Sequence, residues 1–427
     1  MKIVVLGAGV AGITTAYFLA REGFDVRVID RCDAPASEGS YANAGLIHAS
    51  VAEPWNSPVA VLELLRSLVR RDGTLLLNPG QIPGLIFWGL RFLSGSRYRV
   101  RSANTLLNAR LAVYSQQLLA RLREETGIDF DNTGHGMMKL FQTQKRLEAI
   151  TATARLLEPL GVVHRRVGVD ELIESEPLLA DGCEQWVGGV HFPNDESACP
   201  RLFARGLATL AESSLGVRFH YRTHILDLRM KRNRLERVVT DQGDFDADAV
   251  VIAAGPESAG LARRAGLRLP IRPVKGYSTT IALVSDVPSP RVPLMDDSRK
   301  LVINRLGNRL RISGTAEFAG HDRSVRADRI EQLLQRAGAT VPALADHLRS
   351  TDHDPWACLR PMTADGPPIL GATPVSNVYL NAGSGHLGWT MAAGSAKLVT
   401  DVIAGRETAI PVEGFSVRRY WSLPGLA

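Results

Sequence analysis

Apolar and polar positions along the chain fall into short blocks with two alternating periods. Residues 2–6, KIVVL, are a β-branched apolar run closed by a glycine, the pattern of a strand buried on both faces. Residues 10–21, VAGITTAYFLAR, carry the helical period, and 24–29, FDVRVI, alternate like a second strand that ends at Asp30. Glycines interrupt the first apolar run and charge returns at Arg21-Glu22, so a strand-turn-helix explains this segment better than a signal peptide. Residues 201–212 are helical by period, and 217–222, 225–229 and 235–240 alternate as strands. Residues 249–255, AVVIAAG, read as a buried strand ending in small residues. Residues 377–381 predict another strand, followed by AGSGHLG and a helix from about Trp389 to Ala404, with Gly405 as its C-cap.

The intervening blocks have another character. Residues 50–195 predict helices over 58–71, 103–126 and 144–158 and a strand over 136–142. Residues 270–340 read as strands, with a hairpin turn at Gly307-Asn308, then a helix over 326–337. The expected fold is α/β: a discontinuous, Rossmann-like nucleotide domain (1–48, 196–262 and 356–427) with an inserted α+β substrate domain (49–195 and 263–355) built on an antiparallel sheet. At 427 residues, two domains are the natural expectation.

Composition adds exclusions. Apolar residues make up 45% and charged residues 22%, which fits a folded globular chain. The net charge is +6, but the basic residues are scattered, with local clusters at Arg70-Arg71 and Arg97, Arg99 and Arg101, and no nucleic-acid motif accompanies them. Cys32, Cys183, Cys199 and Cys358 are isolated thiols with no metal-ligand spacing, which fits a reducing cytoplasm and predicts no metal. No run reaches the roughly 20 apolar residues of a bilayer span. Residues 82–99 combine an apolar stretch, Trp88 and flanking arginines. Peripheral contact with a membrane is one reading of that segment, and burial against the other domain is the second.

The first chemistry-bearing motif is Gly7-x-Gly9-x-x-Gly12 between strand and helix. Gly7 makes the turn, Gly9 admits a pyrophosphate to the backbone and Gly12 lets the helix pack closely. The helix N-terminus offers free N–H groups to phosphate, and Asp30 can accept hydrogen bonds from a ribose diol while repelling a 2′-phosphate. This predicts a bound adenine dinucleotide. Two further glycine-rich strand ends, AVVIAAG and NAGSGHLG, must return to the same ligand. That discontinuous layout favours FAD over NAD.

Several long stretches then carry a resemblance: SYANAGLIHASVAEPW at 40–55, GGVHFPNDE at 188–196, PVKGYSTTI at 273–281, INRLGNRLRISGTAE at 303–317, LRPMTADGPPILG at 359–371 and NAGSGHLGWTMAAGS at 381–395. The chain resembles the FAD-dependent D-amino-acid dehydrogenases, small subunit type, of the D-amino-acid oxidase and glycine oxidase superfamily. The resemblance implies FAD contacts at Gly7, Gly9, Val10, Ala11, Gly12, Asp30 and Arg31, and at Asn43, Ala44, Gly45 and Leu46. It implies further contacts at Ala254 and Gly255 and at Gly383, Gly385, Leu387, Gly388, Trp389 and Thr390. Asn43 is expected at the edge of the flavin ring, and the C-terminal glycine loop beside its N1–C2=O edge.

For the substrate, Arg360 is expected to grip the carboxylate with its planar fork. Tyr277 is expected to reach the substrate from the roof of the site, with Lys275 solvated, and His48 and His386 to stand nearby. In the resembled family the glycine loop commonly reads Gly-His-Gly-x-Leu-Gly-Trp. Here Ser384 takes the histidine's place and His386 follows two residues later. The implied activity is oxidation of a D-amino acid to a 2-oxo acid and ammonium by hydride transfer to flavin N5, without a dedicated protein base. The electrons then pass to a quinone or another non-oxygen partner at the inner face of the membrane. The competing expectations are a dehydrogenase or oxidase of a cyclic or N-substituted amino acid such as D-proline, hydroxyproline or sarcosine, an oxygen-using oxidase, an NAD dehydrogenase, and a non-catalytic binding protein.

Overall fold

The computed structural model describes residues 1–68, 73–283 and 288–420. Its first βαβ unit is β1 (Lys2–Leu6), α1 (Val10–Arg21) and β2 (Asp25–Ile29), with β1 and β2 parallel and in register from Lys2↔Asp25 to Leu6↔Ile29. β1 is central because it is apolar on both faces. It also pairs in parallel with Ala249–Ile252, which pairs in turn with Val378–Ala382. Arg218–His220 closes one edge of this six-stranded sheet, and Ile369–Ala372, the one antiparallel strand, closes the other.

The helices α1, Pro200–Leu215 and Ala392–Ala404 bury their apolar stripes on one face of the sheet, with Ile13, Leu19, Phe203, Leu207 and Val399 in a single cluster. Each fully buried aliphatic side chain of this kind stabilises by roughly 1.5–3 kcal/mol. Gly405 ends the last helix in the left-handed region, as expected for a C-cap. The 225–229 and 235–240 segments do not join the main sheet. They form a small separate one, Ile225–Lys231 with Arg234–Thr240 and Phe245–Asp246, which covers part of its second face.

The larger sheet has nine strands. Most of its pairings are antiparallel, but Leu294–Asp296 runs parallel to Met137–Phe141 and Arg309–Phe318 runs parallel to Leu75–Leu77. The expected hairpin is present: Leu301–Leu306 turns at Gly307 into Arg309–Phe318, with Leu306 opposite Arg309. The strand His353–Thr363 straddles the division expected at 355/356 and lies wholly in this sheet, paired with Ile271–Ala282 over its length.

The helix expected over 58–71 is present as Pro58–Ser67, and residues 69–71 lie outside the described residues. The apolar 82–99 segment is helical over Ile82–Gly95 and divides its faces. Trp88 and Phe92 point inward, stacked 5.0 Å apart, and the Trp88 indole donates to the Met362 carbonyl at 3.3 Å. Trp88 is therefore a core residue, which bears out the burial reading for the inner face of this helix. The outward face is apolar as well, with Phe87 82% and Leu90 60% exposed. Among the described residues no helix is long and apolar enough to cross a membrane.

Candidate active site

The carboxyl ends of β1, β2, Ala249–Ile252 and Val378–Ala382 open onto one cavity of about 1370 Å³, whose far wall is the nine-stranded sheet. Ligands of open α/β sheets bind in this place. Gly7 leaves β1 with φ of +112°, and a Cβ there would stand 2.6 Å from the Ala253 carbonyl oxygen. A Cβ on Gly12 would collide with the Gly7 carbonyl, so that glycine serves helix packing and does not border the cavity. Gly9 differs: a Cβ would meet only Ser40 Oγ, at 3.5 Å. Protein packing does not require glycine there, whereas close approach by a phosphate does. Val10 and Ala11 border the cavity at the helix N-terminus, where the Val10 N–H donates to Ser40 Oγ at 3.0 Å.

Asp30 accepts from the Ala8 N–H at 2.6 Å and the Cys32 N–H at 2.8 Å, so it ties the glycine turn to the end of β2 as well as facing the cavity. Arg31 is held at the rim by Glu38 at 2.9 Å and Glu257 at 3.5 Å. His321 and Arg323 beside Glu257 keep its carboxyl down at about 2.

The loop Ala42–Leu46 runs along the cavity under a set of tethers. Ser278 Oγ donates to the Ala42 carbonyl at 2.6 Å, Arg311 to that of Asn43 at 2.8 Å and Asn304 to that of Ala44 at 2.8 Å. The Asn43 side-chain oxygen, expected at the edge of the ring, instead accepts from the Gly45 N–H at 2.9 Å and braces its own loop. Burial pushes the Arg311 guanidinium down to about 10.

Across the cavity, Ala254, Gly255, Gly383, Gly385, Gly388 and Trp389 border it. A Cβ on Gly383 would lie 2.5 Å from Thr363 Cγ2, and one on Gly385 3.0 Å from Met362 Sδ, so the glycine loop interlocks with the end of the strand that carries Arg360. The last helix starts at Ala392, three residues later than the periodicity suggested, because Gly385–Leu387 is a tight turn of its own. Leu387 and Thr390 do not border the cavity. Leu387 is core, and Thr390 Oγ1 accepts from the His48 N–H and donates to the Leu46 carbonyl, joining the two loops.

At the sheet end, Arg360 bonds the Thr315 carbonyl at 3.2 Å and no carboxylate pairs with it among the described residues. Burial lowers its pKa. Its guanidinium lies 5.7 Å from the Trp55 ring, and His386 stacks on the same ring at 5.3 Å. His386 Nε2 faces the Val51 carbonyl at 3.4 Å, and burial holds the imidazole neutral, at about 4. His48 is buried beside it and is pushed to about 3 by burial, with His386 and Lys139 adding to the effect. The expected cluster of Arg360, His48 and His386 is thus assembled.

Tyr277 borders the cavity, but its ring does not join this cluster. It alternates with Gly276, which faces Arg360, so its ring lies on the opposite side of the strand against Ile330, and its hydroxyl donates to Glu317 at 2.8 Å. Lys275 shares that side. It is fully buried, not solvated, and its ammonium binds Asp322 at 2.8 Å.

Sequence reasoning missed Ser40, Trp55 and the tethers Ser278, Asn304 and Arg311. Ser40 and Trp55 sit in aperiodic loop, and the tethers act by contacts across more than 200 residues of chain.

The cradle fits FAD: a long cavity, a helix N-terminus whose Gly9 leaves room for a phosphate, an acid at the end of β2 that would suit a ribose and a tethered loop along the wall that would suit the flavin ring. The family model for FAD dependent oxidoreductases (DAO) matches residues 2–402. A D-amino acid dehydrogenase of Rhizorhabdus wittichii is 39% identical over 98% of this chain and 100% of its own length. One of Chromohalobacter salexigens is 37% identical over the same shares. Among solved structures, the glycine oxidase of Geobacillus kaustophilus superposes with a TM-score of 0.76 at 26% identity, covering 98% of this chain and 99% of that one. An extended match of this kind, on a cavity built this way, places the chain in the family of FAD dependent oxidoreductases.

Proposed function

We propose that the chain oxidises D-amino acids to imino acids, which water converts to 2-oxo acids and ammonium. The observation that carries the reading is Arg360: a half-buried guanidinium with no carboxylate partner among the described residues, on the wall of the cavity that holds the flavin cradle. A partly desolvated cation without a counter-ion gains from a visiting anion, and a substrate carboxylate fits its fork. FAD supplies the hydride acceptor. Arg360, with the Trp55 ring beside its guanidinium, fixes the carboxylate, and positioning of this kind can be worth roughly 7–11 kcal/mol. His48 and His386, both neutral, line the space without adding charge. The names of the curated relatives support the same substrate class.

The test is an anaerobic visible spectrum of the holoenzyme mixed in turn with D-alanine, L-alanine, D-proline and a hydroxyproline. Bleaching of the flavin by a D-amino acid and not its L-partner is expected. Bleaching by cyclic amines alone would replace the substrate class.

We also propose that the electrons leave to a membrane quinone and that the outer face of helix Ile82–Gly95 rests on the bilayer. Ile86, Phe87, Leu90 and Leu93 are all exposed on it, with Arg97 and Arg99 following, a combination suited to an anionic lipid surface. Co-sedimentation with anionic vesicles that survives Phe87→Glu with Leu90→Glu would refute this contact.

A further inference from the structure

The cavity has a second cationic end. Lys139 lies in the middle of the strand Met137–Phe141, on the side shared with Met137 and Phe141, and is only 6% exposed. Burial lowers its pKa. Its one ion pair among the described residues is to Asp297 at 3.4 Å. That carboxylate is already gripped by the Arg146 fork, at 2.8 and 3.0 Å, and approached by Lys300 at 3.5 Å. Burial pushes the Asp297 carboxyl up, but the three cations outweigh it and hold it well below the usual range.

The other charges on this part of the wall are already matched. Glu53 is taken by Arg101 at 2.6 Å and Asp296 by Arg299 at 2.9 Å, while Glu53 adds its field to Lys139 and Arg146, and Glu63 to Arg146. In direct contact, the one carboxylate of Asp297 serves three cations, Lys139, Arg146 and Lys300. This corner borders the same cavity as Arg360, and His48 lies within the field of both His386 and Lys139. The wall thus runs from Arg360 past Trp55, His386 and His48, neutral or aromatic throughout, to the Lys139 ammonium.

We propose that Lys139, with Arg146 and Lys300, binds a second acidic group on the substrate, so that the enzyme prefers D-amino acids with an anionic side chain. The proposal rests on the reading of Arg360 as the α-carboxylate anchor. D-Glutamate and D-glutamine are nearly isosteric and differ in side-chain charge, so their kcat/KM ratio in the holoenzyme isolates the effect. The ratio should favour D-glutamate by roughly tenfold or more, and Lys139→Met should collapse it towards one. Arg146→Gln should lower the same ratio, which keeps the test open if the Lys139 variant does not fold. Binding gives an independent readout: glutarate, which cannot be oxidised at an amine, should perturb the flavin spectrum at a lower concentration than butyrate, and Lys139→Met should erase the difference. A ratio near one in the unmodified enzyme, or one unmoved by both substitutions, overturns the inference while leaving D-amino-acid oxidation standing. Bleaching by no D-amino acid, with glutarate still bound through Lys139, overturns the activity and leaves this corner as an anion site.

Discussion

The guanidinium of Arg360 lies directly over the Cα of Gly276 on the neighbouring strand, and a Cβ at position 276 would collide with both its terminal nitrogens. The arginine's place is thus made by the absence of a side chain two strand positions from its paired residue, Val274. Gly276→Ala should displace the fork without removing it. A displacement of about 1 Å can cost about 100-fold in kcat/KM. Steady-state kinetics should show that loss, most of it in KM, with flavin content unchanged.

Replacing Arg360 itself separates charge from shape. Arg360→Lys keeps a cation but loses the parallel donors, and Arg360→Ala loses both. The expected order of kcat/KM is wild type, then lysine, then alanine, with roughly tenfold or more between successive members. An alanine variant as active as the lysine variant would remove the arginine from substrate binding.

Gly12→Ala tests the cradle. The added methyl meets backbone, the Gly7 carbonyl, which cannot swing aside. Overpacking of this kind costs about 1–3 kcal/mol or more. Purified protein should carry less flavin and melt at a lower temperature, and flavin added in excess should recover only part of the loss.

Asp195 gives a pH dependence with a definite sign. Its carboxyl is buried and bonded by Ser50 Oγ and the Ala49 N–H, yet burial dominates and raises its pKa from 3.8 to about 7. A group whose pKa is raised by folding contributes most below its unfolded value, and that contribution is lost as pH rises through the folded one. Stability should therefore fall across pH 4 to 7. Asp195→Asn, which keeps an acceptor for Ala49, should flatten that slope and melt higher than the parent above pH 7. Melting curves across this range decide it.

What was legible in the sequence divides along the range of the forces involved. The βαβ unit could be read because the demands on Gly7, Gly12 and Asp30 are local and fall within thirty residues. The Gly307 hairpin was readable for the same reason. Arg360 could be found only through resemblance, since nothing in Leu-Arg-Pro announces an unpaired guanidinium. Tyr277 was misjudged because the residues alone do not say which side of an all-buried strand faces the ligand. Lys139 was invisible within MMKLF, where an apolar run hides a single charged position. The two-faced helix Ile82–Gly95 defeated the reading differently: both its sides are apolar, and periodicity cannot assign them.

The central position of β1 has a consequence for biosynthesis. It is made before all its partners and gains β2 as a neighbour within thirty residues, but its other neighbour is Ala249–Ile252, and the strand beyond that is Val378–Ala382. While the intervening two hundred residues are synthesised, one edge of this largely buried apolar strand stays open. A nascent chain that already displays the whole dinucleotide motif therefore lacks two of the three loops that embrace the ligand. Flavin capture is a late event, and a chain stalled before residue 249 is left with an exposed, aggregation-prone strand edge in place of a half-built enzyme.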